Sequence, residues 1–220
     1  MLLPIGAEIT RTEANLRIAI MGSGGVGGYF GARLVQGGAD VTFIARGAHL
    51  AAMREHGLTI ESGHAPIHLP KINVTDDPAT IGPVNLVMFC VKLWGTESAA
   101  RSLLPIMGRE TAVISFQNGV QKDDMLRPVF GDAALMGGVA YVGTTIARPG
   151  VIAQTGPLQR LEFGEYDGRR SARRDVGVGS YLPPAHPGKL SLQVCVACIR
   201  ARRKSRSVAA ILKKTSAPIS

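Results

Sequence analysis

A chain of 220 residues with 45% hydrophobic residues and a net charge of +9 has material for one or two globular domains, and its basic excess would suit a nucleic-acid binder if it ran through the fold. It does not: residues 1–168 carry 13 Lys and Arg against 15 Asp and Glu, a balance of −2, whereas residues 169–220 carry 12 against 1, a balance of +11. The first 168 residues therefore read as an ordinary, slightly acidic domain, large enough to bury roughly 70% of its unfolded surface.

Residues 1–16 form a mixed, uncapped leader that carries little information. No apolar run is long enough to span a bilayer, and the N-terminus lacks the basic region followed by an apolar core that marks a secretory signal. The expectation is a cytoplasmic protein with no membrane partner. Cys90, Cys195 and Cys198 make no disulfide framework, and Cys90, inside an apolar run, reads as a buried small hydrophobe.

The chain is organised around residues 17–34, RIAIMGSGGVGGYFGARL. Ile18 to Met21 make a buried-strand run, and Val26, Phe30 and Leu34 recur at the spacing of an amphipathic helix. Between them Gly22, Gly24 and Gly27 stand as G-x-G-x-x-G. Each place has a steric reason: a tight turn, room for a pyrophosphate against bare backbone, and close packing of helix on strand. The loop Gly22, Ser23, Gly24, Gly25, Val26 and Gly27 is thus a candidate phosphate cradle, with the positive end of the following helix aimed at it. Glycine clusters also occur in plain turns. The strand before this one and the helix after it favour a dinucleotide.

Gly37-Gly38 ends the helical pattern, and Val41 to Ala45 form a second strand that closes on Arg46. An NAD-specific fold places an Asp or Glu near this point for the ribose 2'-hydroxyl, whereas an Arg suits a 2'-phosphate. The expectation is NADP, with a solvated surface Arg as the plainer alternative. Residues 47–55 read as a second helix and residues 58–69 as short strands broken by Gly63 and Pro66. Pro66 argues against a helical metal pair of His64 and His68, which read as exposed loop histidines, so no metal is expected.

Residues 84–91 make another buried parallel strand ending in Lys92, Leu93 and Trp94. Open α/β sheets collect ligand groups at the carboxyl ends of their strands, which makes Lys92 a candidate cofactor or phosphate contact. Thr96 is expected to cap the next helix, with Ala99, Leu103 and Leu104 on its buried side and Pro105 closing it. Residues 112–116 form one more strand, followed at once by Gln117, Asn118 and Gly119. Asn118 can hydrogen-bond a nicotinamide amide or a substrate hydroxyl; it can equally serve the left-handed turn that Asn-Gly favours. The fold class is α/β, a Rossmann-type, doubly wound and mostly parallel sheet over residues 17–168.

Residues 18–28 (IAIMGSGGVGG), 43–46 (FIAR), 89–94 (FCVKLW), 115–120 (SFQNGV) and 138–156 (GVAYVGTTIARPGVIAQTG) together resemble the N-terminal domain of the 2-dehydropantoate 2-reductase, or ketopantoate reductase, family. The resemblance covers about residues 17–168. It implies NADPH-dependent reduction of the 2-oxo acid 2-dehydropantoate to pantoate, on the route to pantothenate. It also implies roles: the loop from Gly22 to Gly27 for the pyrophosphate, Arg46 for the 2'-phosphate, Lys92 for the cofactor, and Asn118 for the nicotinamide end and the substrate.

The family continues into an all-helical domain that supplies a proton-donating Lys and substrate-holding Asn residues. Lys189, Lys204, Lys213 and Lys214 lack that setting, so the catalytic acid stays unknown and impaired activity is expected. Residues 169–220, with Pro183, Pro184, Pro187 and one acidic residue, read as a basic, disordered tail produced by truncation or a wrong reading frame. A non-catalytic NADP-binding remnant and a reductase of another 2-oxo acid are the alternatives. Cys195 and Cys198 lack a second ligand pair, and residues 200–206 lack aromatics to stack on bases, so neither zinc nor specific nucleic acid is expected. A homodimer is compatible with the sequence but not derivable from it.

Overall fold

The computed structural model describes residues 16–63, 66–119, 121–164 and 166. The expectations for the leader, His64 and the tail with its lysines and Cys195–Cys198 pair lie outside these residues.

Among the described residues, strands β1 (Arg17–Met21), β2 (Asp40–Ile44), β3 (Leu58–Ser62), β4 (Ile67–Leu69), β5 (Asn73–Thr75), β6 (Val84–Phe89), β7 (Met107–Ser115), β8 (Leu135–Arg148) and β9 (Val151–Gly164) alternate with helices α1 (Gly25–Gln36), α2 (Gly47–His56), α3 (Thr96–Ser102) and α4 (Lys122–Phe130). They form one sheet in the order β4-β3-β9-β8-β7-β6-β1-β2-β5. The central run β5-β2-β1-β6-β7-β8 is parallel throughout. That order is the doubly wound one: from β1 the chain builds outward first on one side and then on the other.

The apolar runs of the central strands are continuous because both sheet faces are covered. Ile18, Ile20, Leu86, Met88 and Ile114 point to a core shared with Phe30, Leu50 and Met53 from α1 and α2. Their neighbours Ala19, Met21, Val87, Phe89 and Val113 point the other way, to Ala99, Ala100 and Leu126 from α3 and α4. A period of two sorts each strand between two cores.

Helix α1 departs from the amphipathic expectation, since every residue from Gly27 to Leu34 is buried. On one side a Cβ at Gly31 would stand 2.4 Å from Phe43 Cε1, and one at Gly27 would stand 2.3 Å from Gly22 O. On the other side a Cβ at Gly28 would stand 2.1 Å from Ile152 Cδ1, and the Tyr29 hydroxyl donates to Gln159 Oε1 at 2.6 Å. The β8–β9 hairpin therefore closes over the helix as a second wall. The hairpin bends at an irregularity where pairing steps from Val142 with Gln159 to Gly143 with Thr155, leaving Gly156, Pro157 and Leu158 as extra residues. Bulges of this kind bend strands and tolerate Pro. Strand β3 then pairs in parallel with β9 and extends the wall.

Three local expectations change. Gly95, not Thr96, holds the N-cap position of α3; the Thr96 hydroxyl donates back to Leu93 O at 2.7 Å. Leu104 is exposed in a short 3-10 turn that also holds Pro105. His68 is exposed as expected but sits in β4, with Nδ1 3.0 Å from Thr59 Oγ1.

Gly31→Val places a branched side chain against Phe43, a fully buried ring with nowhere to swing. Overpacking of this kind costs about 1–3 kcal/mol, and urea unfolding followed by circular dichroism should report a loss of that size.

Candidate functional site

Register brings the candidate residues to one level. Met21 stands opposite both Ile44 and Phe89, and Phe89 opposite Ser115. The glycine loop after β1, Arg46 after β2, Lys92 after β6 and Asn118 after β7 consequently leave the sheet along the same edge, around the β1–β6 boundary where the winding reverses. Arg46, Lys92 and Asn118 are all exposed.

The loop has the geometry its glycines predict. Gly22 is at φ +90°, and a Cβ there would stand 2.8 Å from Val91 N. Gly24 is extended, at φ −78°, and supplies the N-cap of α1 without a side chain. The space beside it is open, with Ile146 Cδ1 the nearest atom to an added Cβ at 3.9 Å. Gly28 N makes the first helical bond, to Gly24 O at 2.7 Å. The N–H groups of the first turn are the ones a helix leaves without intrahelical acceptors, and the dipole makes that end positive. An open face of bare backbone at a helix N-terminus fits a dinucleotide pyrophosphate.

Ser23 faces the other way. Its N–H and its hydroxyl both donate to Ile44 O, at 3.1 and 3.0 Å, which ties the loop to the end of β2. Arg46 occupies the N-cap of α2 with no side-chain capping bond, so its guanidinium remains available at the β2 end. The left-handed place in the Asn-Gly turn is taken by Gly119, at φ +97°, and no described non-glycine residue has a positive φ. The turn therefore asks no left-handed backbone of Asn118, whose side chain is exposed at this edge.

Several residues at this edge escaped the sequence reading. His49 joins the glycine loop to the β8–β9 turn: Gly150 N donates to its Nδ1 at 3.1 Å, so the ring proton sits on Nε2 and is donated to Ser23 O at 2.9 Å. Burial lowers its pKa below the ordinary histidine value, and the bond to Ser23 partly opposes that. Lys122 is buried, its ammonium donating to Ser115 O at 3.0 Å and Gly138 O at 2.6 Å in the fork where β7 and β8 part. Burial lowers the Lys122 pKa as well, with Asp123 opposing. Thr144 Oγ1 is buried without a hydrogen-bond partner among the described residues and lies 3.0 Å from where a Gly25 Cβ would be. A lone His, Lys or Thr carries no signal in sequence, because its burial is decided by strands far along the chain. Cys90 lies just past β6 beneath the loop, half-buried where the sequence suggested full burial, its thiol pushed up to about 12 by desolvation.

Residues 18–168 match the family model described as Ketopantoate reductase PanE/ApbA. The chain belongs to the ketopantoate reductase family. The Pyrococcus horikoshii 2-dehydropantoate 2-reductase is 31% identical over 162 residues, covering 68% of this chain and 51% of that protein. An uncharacterized oxidoreductase of Bacillus subtilis, YkpB, is 29% identical over 163 residues, covering 72% of this chain and 52% of its own length. Among solved structures, the 2-dehydropantoate 2-reductase of Porphyromonas gingivalis superposes with a TM-score of 0.68 at 30% identity, covering 72% of this chain and 57% of that one. The chain spans about half the length of the curated relatives it matches. Among the described residues of this family member, no helix is long and apolar enough to cross a membrane, and no cluster of three or more His, Cys, Asp or Glu could hold a metal.

His49 gives a pH dependence with a definite sign. Its folded pKa lies below the unfolded value of about 6.5, so the unfolded chain takes the proton first and stability falls as pH drops below 6.5 toward the folded value. Gln can reproduce both hydrogen bonds without titrating. Urea unfolding at pH 7.5 and pH 5.5 should show a smaller acid loss in His49→Gln than in the unaltered chain.

Proposed function

We propose that residues 17–168 are the NADPH-binding half of a reductase acting on a 2-oxo acid, with 2-dehydropantoate the first substrate to test. The observation that supports the reading is the level row of strand ends, which brings the glycine loop, two exposed cationic side chains and the exposed Asn118 to one edge of the sheet. When bound, NADPH supplies the hydride that reduces the keto carbon. Backbone N–H groups at Gly24 to Gly27 hold the pyrophosphate, and the Thr144 hydroxyl adds a donor beside them. Arg46 takes the 2'-phosphate with its planar fork. Lys92 adds positive charge over the cofactor phosphates. Asn118 orients the nicotinamide end and the substrate oxygen through its amide.

Calorimetric titration with NADPH and NADH tests the cofactor part. NADPH should bind more tightly, and Arg46→Ala should remove most of the difference; a charge-assisted contact contributes about 1.5–3 kcal/mol, or roughly ten- to a hundredfold in affinity. Equal affinities in the unaltered chain would refute the role of Arg46. Gly24→Val should fold normally, because the backbone there is extended and the space beside it is open, yet lose NADPH binding because the side chain fills the cradle. Tight binding by folded Gly24→Val would reduce the glycine cluster to a turn.

The resemblance puts the proton donor on a helical domain, so residues 17–168 are proposed to bind the cofactor without supplying the acid. A missing general acid costs typically 10²- to 10⁴-fold. NADPH oxidation with 2-dehydropantoate should be slow with this chain alone and rise when a family helical domain is added. Near-normal turnover by the chain alone would overturn the impairment and leave the cofactor roles standing. A preference for a different 2-oxo acid in the same assay would move the substrate, as the uncharacterized Bacillus relative leaves room for.

A further inference from the structure

Between the two strand ends that carry Lys92 and Asn118 runs a chain of buried hydrogen bonds. The Ser115 hydroxyl donates to Gln117 Oε1 at 3.1 Å, Gln117 Nε2 donates to Thr96 Oγ1 at 2.7 Å, and the Thr96 hydroxyl donates to Leu93 O at 2.7 Å. All three side chains are buried, Thr96 completely. The direction of the chain is determined: Thr96 has one proton and gives it to Leu93 O, so it can only accept from Gln117, which requires the amide nitrogen there and leaves the amide oxygen for Ser115. Beyond the chain the two segments also approach each other, since a Cβ on Gly119 would stand 3.9 Å from Leu93 Cδ2.

We infer that Gln117 is a positioning residue: by joining Ser115 to Thr96 it makes the Lys92 segment and the Asn118 turn a single unit that presents both groups to the cofactor at a fixed spacing. The inference rests on the cofactor roles proposed above for Lys92 and Asn118. An apolar filling of the same volume would serve stability about as well, because removing both partners of a buried hydrogen bond together is nearly neutral. A directional chain does what apolar packing cannot, which is to specify one register between two loops. Lys122 closes the opposite side of the same turn by holding Ser115 O. Ser115 thus anchors the turn through its hydroxyl, by way of Gln117, toward Thr96 at the start of α3 and through its carbonyl toward α4.

Trp94 is the only tryptophan of the chain and lies between Leu93 and Thr96, 90% exposed. Its time-resolved fluorescence anisotropy reports the order of the Lys92 segment with no ligand present. Thr96→Val keeps the shape and removes the hydroxyl, Gln117→Met keeps the length and removes the amide, and Thr96→Ser restores the hydroxyl. In folded protein, checked by thermal melting, Thr96→Val and Gln117→Met should each increase Trp94 motion and weaken NADPH binding roughly three- to tenfold. The double variant should lose little more than the poorer single one, because both break one chain. Thr96→Ser should stay within about twofold of the unaltered protein. Should Gln117→Met fail to fold, Thr96→Val against Thr96→Ser carries the comparison.

Unchanged Trp94 anisotropy in folded Thr96→Val would overturn the tie. A loosened Trp94 with undiminished NADPH affinity would overturn its positioning role, and fully additive losses in the double variant would overturn the single chain. Unchanged NADPH affinity in both Lys92→Ala and Asn118→Ala, with Trp94 loosened in Thr96→Val, would instead overturn the cofactor reading on which the inference rests.

Discussion

Helix α1 can lie where it does only because it lacks side chains on both of its flanks. Gly27 and Gly31, one turn apart, let it settle onto β1 and β2, and Gly25 and Gly28 let the β8–β9 hairpin close from the other side. Close packing of this kind leaves no slack, since interiors are filled to the density of organic crystals. The position of the helix N-terminus is thereby fixed from two directions before any ligand arrives. Preorganised backbone donors bind an anion without a further cost of ordering. The glycines that look in sequence like a recipe for flexibility act in the fold as a means of close approach.

Chemistry at the edge follows from parallel strands of matched register. Each strand of the central run carries its apolar residues up to the same level and then releases the chain, so polar groups distant in sequence meet along one line. Nothing in the individual loops requires this. It is a property of the sheet, and it is why a fold of this type can hold a long ligand such as a dinucleotide across several strand ends. What differs from a generic α/β crevice is the second wall. Thr144 and Ile146, on the hairpin arm of the same sheet, stand beside the glycine loop and enclose it from the side opposite β1 and β2.

Local patterns made much of this legible. The apolar run of β1, the glycine spacing and the start of α1 are contiguous, so a window of a dozen residues contains the whole strand, turn and helix. The placement of Arg46, Lys92 and Asn118 at the sheet edge was legible for a related reason: each stands two or three residues past an apolar strand, and position after a strand is a local fact. The second wall was not legible, because β8 and β9 alternate weakly between buried and exposed residues and their effect on α1 comes from pairing far along the chain. The full burial of α1 was hidden with it. Thr96 looked like a helix cap because Thr at that place usually is one, yet its hydroxyl is used by the backbone behind it and by Gln117. His49 and Lys122 were invisible for the same reason, since a polar residue declares its burial only once its partners are in place.

Strand β3 takes its parallel neighbour not from the strands made just before or after it but from β9, near the end of the described chain. As the polypeptide emerges from the ribosome, β1, α1 and β2 come out first and can pair at once, whereas β3, which pairs antiparallel with β4 as soon as that strand is made, must wait for residues 151–154 before its parallel ladder exists. Until then the wall over α1 lacks β9, whose Ile152 meets Gly28, and β3 presents one unsatisfied edge to the surroundings. Pairings of large sequence separation are slow and expose sticky intermediates. A nascent chain halted before residue 150 therefore holds the complete glycine sequence with its enclosure unfinished, which makes β9 the last part to be synthesised of the wall that seals the helix and the period before its arrival the one in which a chaperone has most to shield.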